Sequence, residues 1–191
     1  MASIAEINEA VDTARAAGAK DLILLKCTSS YPATPDTSNL LTIPHMRDLF
    51  QCPVGLSDHT LGIGAAVASV ALGAVAIEKH VTLARAEGGV DADFSLEPQE
   101  LKSLVDECKR AWHALGGIQY GMLEEERAST VFRRSLYIAA DMKAGETFTR
   151  KNLRAVRPGL GLPPKYLDML LGKKIARNAK KGTAMSWDLV G

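Results

Sequence analysis

The sequence predicts an α/β protein: a parallel sheet of βαβ units over residues 1–120, then a linker and a small, mostly β module over residues 121–191. Three observations lead there. Stretches with apolar residues at helical spacing alternate with short, continuous apolar runs. After Gly116-Gly117 the pattern changes to short segments punctuated by Gly and Pro. Within that second part Ile138-Ala139, Gly145 and Phe148-Thr149 recur as Ile175-Ala176, Gly182 and Met185-Ser186, each 37 positions on.

Ile4 to Ala17 has apolar residues at helical spacing, with Ser3 as a natural N-cap and Gly18 as a stop. Asp21 to Cys27 is an almost unbroken apolar run, the pattern of a strand buried on both faces of a parallel sheet, and it ends in the polar loop Thr28-Ser29-Ser30-Tyr31-Pro32. The alternation then repeats as a helix over about 39–50, a strand at 53–57, a helix over about 63–72, a strand at 74–79 and a helix over about 98–115. Consecutive strands of this kind are joined by right-handed crossovers. Three strands are few: a closed barrel takes eight, and an open doubly wound sheet needs a phosphate-binding glycine loop that the sequence lacks. With a helix rather than a strand first, the first part is expected to be a piece of a larger fold. The boundary falls near 117–130, around the charged stretch Glu124-Glu125-Glu126-Arg127. Beyond it, Lys143-Ala144-Gly145-Glu146 and Lys180-Lys181-Gly182-Thr183 are turn sequences, so two similar strand-turn-strand units are expected to pair. A module of about 60 residues is marginal by size and is expected to lean on a partner surface.

Composition narrows the function classes. With 23 Lys and Arg against 22 Asp and Glu, the chain has no sequence-wide basic field for nucleic acid or an anionic membrane, so neither is expected as a partner. The longest apolar stretch, 63–77, is Ala- and Gly-rich and falls short of the roughly 20 apolar residues of a membrane span. The first residues lack a charged region followed by an apolar one, so a cytoplasmic location is expected. Cys27, Cys52 and Cys108 are odd in number and widely spaced, which fits reduced thiols.

The chemistry concentrates at strand ends. His59, in Gly55-Leu56-Ser57-Asp58-His59-Thr60, and His80, in Ile77-Glu78-Lys79-His80, each follow the carboxyl end of a strand, where α/β folds place ligands. On neighbouring strands the two imidazoles enter one space and can share a divalent metal, whose shell water or substrate must complete. A lone histidine there more often only caps a strand; two in equivalent positions, each beside a carboxylate, favour a site. Lys26, Thr28, Ser29, Ser30 and Tyr31 lie at the same edge and suit an anionic or polyhydroxyl substrate, although any strand end has a polar loop. Lys79 alternates away from Glu78 and His80. Gly88-Gly89-Val90-Asp91 is either a solvated connection or a source of a hydroxyl-binding carboxylate, and Arg157-Pro158-Gly159 holds an arginine on a rigid turn.

Six segments taken in order resemble the sialic acid synthase family: Lys26-Cys27-Thr28-Ser29-Ser30-Tyr31-Pro32, Gly55 to Gly62, Ile77 to His80, Gly88 to Pro98, Phe132-Arg133-Arg134-Ser135-Leu136 and Arg157 to Leu167. The Cys-Thr-Ser-Ser-Tyr-Pro, Gly-Gly-Val-Asp and Leu-Pro-Pro-Lys-Tyr-Leu variants point to its pseudaminic acid synthase branch, with N-acetylneuraminate or another nonulosonate synthase as the alternative. The resemblance implies the C-terminal part of a TIM (β/α)8 barrel, strands six to eight, followed by an SAF (antifreeze-like, β-clip) domain. It implies condensation of phosphoenolpyruvate with the open-chain aldehyde of an N-acetylated amino sugar, releasing phosphate and forming a nine-carbon 2-keto acid. His59 and His80 would hold Mn2+ or Mg2+, with Glu78 orienting groups around the ion. Ser57 would bind phosphoenolpyruvate, Tyr31 and Asp91 the sugar hydroxyls, and Thr28 and Ser29 would line the substrate. Phe132 and Arg157 would reach the sugar's acetamido end in the other subunit of a domain-swapped homodimer. The family's first five strands, which bring an N-terminal Glu and the lysines that grip the carboxylate and phosphate of phosphoenolpyruvate, have no counterpart here. The chain is therefore expected to be a truncated or split product, inactive alone, and the competing reading is a non-catalytic sugar- or partner-binding remnant.

Overall fold

A computed structural model describes residues 1–191 as two compact units, Met1–Ile118 and Gln119–Gly191. The first unit runs α1 (Ile4–Ala16), β1 (Leu24–Cys27), α2 (Thr42–Phe50), β2 (Val54–Asp58), α3 (Gly64–Ala71), β3 (Ile77–Lys79) and α4 (Pro98–Leu115). Ser3 caps α1 in a reciprocal box, its hydroxyl accepting from the Glu6 amide while the Glu6 carboxylate accepts from the Ser3 amide. Before α4 the Glu97 amide donates to the Glu100 carboxylate at 2.8 Å, with Pro98 in the first turn, where its missing N–H costs nothing. No helix is long and apolar enough to cross a membrane.

The sheet is parallel in the order β1-β2-β3, with Leu24 opposite Val54, Cys27 opposite Ser57, Leu56 opposite Ile77 and Ser57 opposite Glu78. Strand alternation divides these side chains between two faces. Leu24, Val54, Leu56 and Ile77 join Ile43, Met46 and Phe50 of α2, Ala66 of α3 and Leu104 of α4 in one apolar core. Leu25, Cys27, Gly55, Ser57 and Glu78 take the opposite face. A Cβ on Gly55 would stand 2.5 Å from the Ala76 carbonyl oxygen and 2.7 Å from Leu25 Cδ2, so the sheet admits only glycine there. The expectation that the first strand is buried on both faces is corrected. All of β2 is buried, but Leu25 of β1 is 37% exposed, because only β2 has a strand on each side and the helices cover one face.

Between β3 and α4, Arg85 ties the loop down. Its amide donates to Glu97, its guanidinium donates to the Ser95 carbonyl, and a two-pronged bond grips the Glu100 carboxylate at 2.5 and 3.0 Å.

In the second unit β4 (Ser135–Ile138) pairs antiparallel with β5 (Leu153–Val156), and α5 (Leu167–Leu170) is a single turn. Buried Leu136, Ile138, Met142, Phe148, Leu153, Leu170, Ile175, Met185 and Leu189 form its core. The 37-residue repeat appears as a pseudo-two-fold exchange of hydrogen bonds. Met142 and Ala179, equivalent positions, bond each other in both directions at 2.8 and 2.9 Å. The Gly145 amide donates to the Ile175 carbonyl and the Gly182 amide to the Ile138 carbonyl, both at 2.8 Å. Asp141 accepts from the Lys181 amide as Asn178 accepts from the Ala144 amide. The strand-turn-strand units thus pair as expected, each satisfying the other's backbone.

Two outcomes are expected. Gly145 and Gly182 both sit at φ +88°, so Gly145→Ala and Gly182→Ala should each cost about 1–2 kcal/mol, and by near-equal amounts, in urea unfolding. The Arg85 guanidinium, followed by the Glu97 amide, holds the Glu100 carboxyl down from 4.5 to about 2. A lowered carboxyl contributes stability above its unfolded pKa that is lost as pH falls through the folded one. Amide shifts of residues 85–97 should therefore titrate with a midpoint near pH 2 in the wild type and lose that transition in Glu100→Gln.

Candidate active site at the carboxyl edge of the parallel sheet

The register of β2 against β3 builds the site. Ser57 and Glu78 face each other on the side away from the helices, and the Ser57 hydroxyl donates to the Glu78 carboxylate at 2.7 Å. Two residues on, alternation brings His59 and His80 to that side, with ring centroids 5.2 Å apart. The residues between them point the other way. Lys79 and Asp58 form a buried ion pair at 2.8 Å, with side chains only 3% and 2% exposed. The Lys79 ammonium also donates to the Thr60 carbonyl, and Asp58 accepts from the Thr60 amide, so every charge-bearing atom of the pair is satisfied. Asp58 is therefore no companion to His59, although it adjoins it in sequence. It clips the end of β2 to that of β3.

The loop after β1 closes over the first imidazole. The ladder continues past the strands as Ala33 pairs with Thr60, its amide donating to the His59 carbonyl at 3.0 Å. His59 Nδ1 lies 3.0 Å from the Thr28 carbonyl, a bond that requires the proton on Nδ1 and leaves the Nε2 lone pair free to bind a cation. The Thr28 hydroxyl itself is engaged, accepting from Lys26 and donating to the Thr37 carbonyl, so Thr28 serves the site through its backbone. Ser29 is exposed beside Cys27, whose sulfur lies 3.8 Å from His59 Nδ1. Tyr31 lays its ring 4.3 Å from that of His59 and 6.1 Å from that of His80. Burial pushes the Lys26 ammonium below its ordinary value.

From the third loop, Asp91 takes a left-handed backbone, φ +64°, and brings its carboxylate to 3.7 Å from His80 Nδ1. Phe94, 6% exposed, packs its ring 5.1 Å from His80 and 6.0 Å from Tyr31. Sequence reasoning passed over Phe94; its signal is the one aromatic residue in the loop that carries Asp91. Ser57, His59, Glu78, His80, Tyr31, Ser29 and Asp91 are thus brought together. No group of three or more His, Cys, Asp and Glu side chains is arranged to hold a metal. The two imidazoles, His59 6% exposed and His80 partly exposed, beside the Glu78 carboxylate fit a divalent cation that takes its remaining ligands from water and substrate oxygens.

Phe132 and Arg157 belong to the second unit. Phe132 ends the 3-10 segment Glu124–Phe132 and is 67% exposed. Arg157 opens a turn pinned by its backbone: the Ser135 hydroxyl donates to the Pro158 carbonyl and accepts from the Gly161 amide, and Gly159 donates to the Val131 carbonyl. A Cβ on Gly161 would approach the Leu136 carbonyl oxygen to 2.3 Å, so the segment lies flush on β4.

Comparison with known proteins agrees with this layout. Residues 1–120 match the NeuB family and residues 133–191 the SAF domain. The chain is 44% identical over 165 residues to the pseudaminic acid synthase of Campylobacter jejuni, covering 86% of this chain and 48% of that protein. It is 40% identical over 184 residues to the N,N'-diacetyllegionaminic acid synthase of the same organism, covering 95% and 55%. Among solved structures, the spore coat polysaccharide biosynthesis protein SpsE of Bacillus subtilis superposes with a TM-score of 0.58 at 31% identity, over 100% of this chain and 59% of that one. The chain spans about half the length of the curated relatives it matches. With well over half of its residues in the NeuB match and an SAF domain behind them, the chain belongs to the NeuB family.

Proposed function

We propose that this chain is the C-terminal part of a nonulosonic acid synthase, with β1, β2 and β3 as strands six to eight of a (β/α)8 barrel over residues 1–120 and the SAF domain within 121–191. The reaction proposed is that of a pseudaminic acid synthase. Phosphoenolpyruvate condenses with the aldehyde of 2,4-diacetamido-2,4,6-trideoxy-altrose, a carbon–carbon bond forms, water adds at C2, and phosphate leaves. The observation that carries this reading is the convergence of His59 and His80, on the face that holds Ser57 and Glu78.

A divalent ion, Mn2+ or Mg2+, held by the two imidazoles would supply Lewis-acid polarisation of the aldehyde. The chain's own residues do the rest of the local work. The Thr28 carbonyl fixes the His59 tautomer, and Asp91 stands beside His80. The Ser57 hydroxyl donates to Glu78 and so orients a carboxylate that can hold the attacking water, while Ser57 itself lies where phosphoenolpyruvate would bind. Tyr31 and Phe94 flank the imidazoles with their rings. Ser29, Tyr31 and Asp91 offer the polar groups for a polyhydroxyl chain. Phe132 and Arg157 are assigned to the acetamido end of a sugar bound by a second copy, in a domain-swapped homodimer. The 40% identity to a diacetyllegionaminic acid synthase supports a second reading, in which the same machinery takes a different diacetamido sugar. Because the cations that would grip phosphoenolpyruvate have no counterpart among these residues, the polypeptide by itself is proposed to be inactive.

The test is phosphate release from phosphoenolpyruvate with Mn2+ and the diacetamido altrose sugar, for this chain alone and mixed with the first five strands of a homologous enzyme. Activity is expected only in the mixture. His59→Ala should then lower it by more than the roughly 10- to 100-fold typical of outer-shell partners, and should weaken Mn2+ binding in parallel. Activity of the chain alone would overturn its proposed inactivity. No activity in either would favour a non-catalytic binding remnant.

A further inference from the structure

The even balance of charge along the sequence conceals a division. Residues 119–191 carry 14 Lys and Arg against 7 Asp and Glu, so the second unit alone is strongly basic. Part of that excess gathers at one place. A cavity of about 620 Å³ is lined by Tyr137 of β4, Arg154 of β5, and Lys151, Arg157 and Lys181, with no carboxylate among its lining residues. None of these four cations lies within ion-pair distance of an Asp or Glu. Their immediate chain neighbours do, Arg150 pairing with Asp168 at 2.7 Å and Lys180 with Asp141 at 2.8 Å. The fold thus spends its nearby carboxylates on the outer member of each basic pair and leaves the other facing the cavity.

A second observation concerns the wall of the cavity. Tyr137 is 9% exposed, and its hydroxyl is buried without any hydrogen-bond partner. A buried, unmatched donor is unfavourable and uncommon in folded chains. Tyr137 stands directly opposite Arg154 in the β4–β5 ladder, and cross-strand neighbours share a face. A ligand oxygen entering beside the flexible arginine would give the phenol an acceptor, while the guanidinium fork offers two parallel donors. Four converging positive charges exceed what one carboxylate neutralises and suit phosphoryl oxygens, which carry up to two charges per group.

We propose that the second unit carries its own binding site for a small phosphorylated anion, formed by Tyr137, Lys151, Arg154 and Lys181 with Arg157 at its margin. The site stands on this unit's residues and does not rest on the synthase reading. A single phosphoryl group engages part of the cluster, and two linked groups engage all of it.

Calorimetric titration of the full chain with pyrophosphate and with inorganic phosphate at low salt, combined with amide NMR mapping, tests this. Pyrophosphate is expected to bind more tightly than phosphate, to weaken as salt is raised, and to shift the amides of residues 137–139, 151–157 and 181–182. The double variant Arg154→Gln, Lys181→Gln should lose at least about tenfold in affinity. Tyr137→Phe, which removes a hydroxyl that holds nothing in place, should fold normally and lose about 3- to 10-fold. Arg150→Gln and Lys180→Gln, whose cations are already paired, should change affinity by less than about twofold. Equal losses in these controls would reduce the effect to diffuse charge and overturn the site, as would the absence of pyrophosphate binding at 10-millimolar order, about the weakest useful affinity. Phosphoenolpyruvate serves as a third probe. Shifts confined to residues 26–31 and 57–59 for every phosphorylated probe would assign the anion chemistry to the first unit and sink this proposal while leaving the synthase reading standing.

Discussion

The parallel register of β2 is the constraint on which the candidate site depends. With Ser57 opposite both Cys27 and Glu78, the chain needs only two further residues on each strand to bring His59 and His80 side by side. A slip of one residue in either pairing would send an imidazole to the helix side and a charge into the site. The small face at Gly55, where any Cβ would strike the Ala76 carbonyl, is part of the same constraint, because it lets the strands approach at the height that sets the register.

Alternation gives the two strand ends a double use. On one side Asp58 and Lys79 meet under the helices, desolvated and fully bonded; on the other, one residue away, the two histidine rings meet. A buried pair of this kind contributes little net stability compared with an apolar pair of similar size, but leaving either partner alone is costly. Its effect here is geometric: the two strands cannot part without stranding a charge. The imidazoles stand on the same backbone and inherit that rigidity.

Much of this was legible in the sequence, and the reasons differ by residue. The two histidines were visible because strand ends in a βαβ pattern have a known destination, and Lys79 was assigned to the far face by counting in twos. The 37-residue repeat was visible because the turn glycines and the buried Ile and Phe or Met positions recur together. Phe94 was not, since a loop aromatic has no periodicity to betray its direction. The Thr28 carbonyl was not, because the side chain that the sequence displays is not the group that does the orienting. Asp58 misled by adjacency: neighbours in a strand point apart. The half-exposed first strand reads as fully buried because an apolar run records what a residue prefers rather than how many layers cover it. The convergence of Lys151 and Arg154 with Lys181 was hidden for a different cause, as Lys181 lies on a segment that meets theirs only when the two repeats pair.

That reciprocal pairing also sets an order of events during synthesis. In the second unit, Met142 waits for Ala179, Ile138 for Gly182 and Thr183, and Leu136 for Met185. The β4–β5 ladder and the Glu146–Lys143 turn bond lie wholly within residues 135–156, but these bonds between the repeats wait until the second repeat has been made. The ribosome must release residues up to about 190 before the bonds between the repeats are complete, whereas the first unit completes its sheet at Lys79 and its helical cover at Leu115. The bonds between the repeats therefore form last, with the delay expected of contacts distant along the chain.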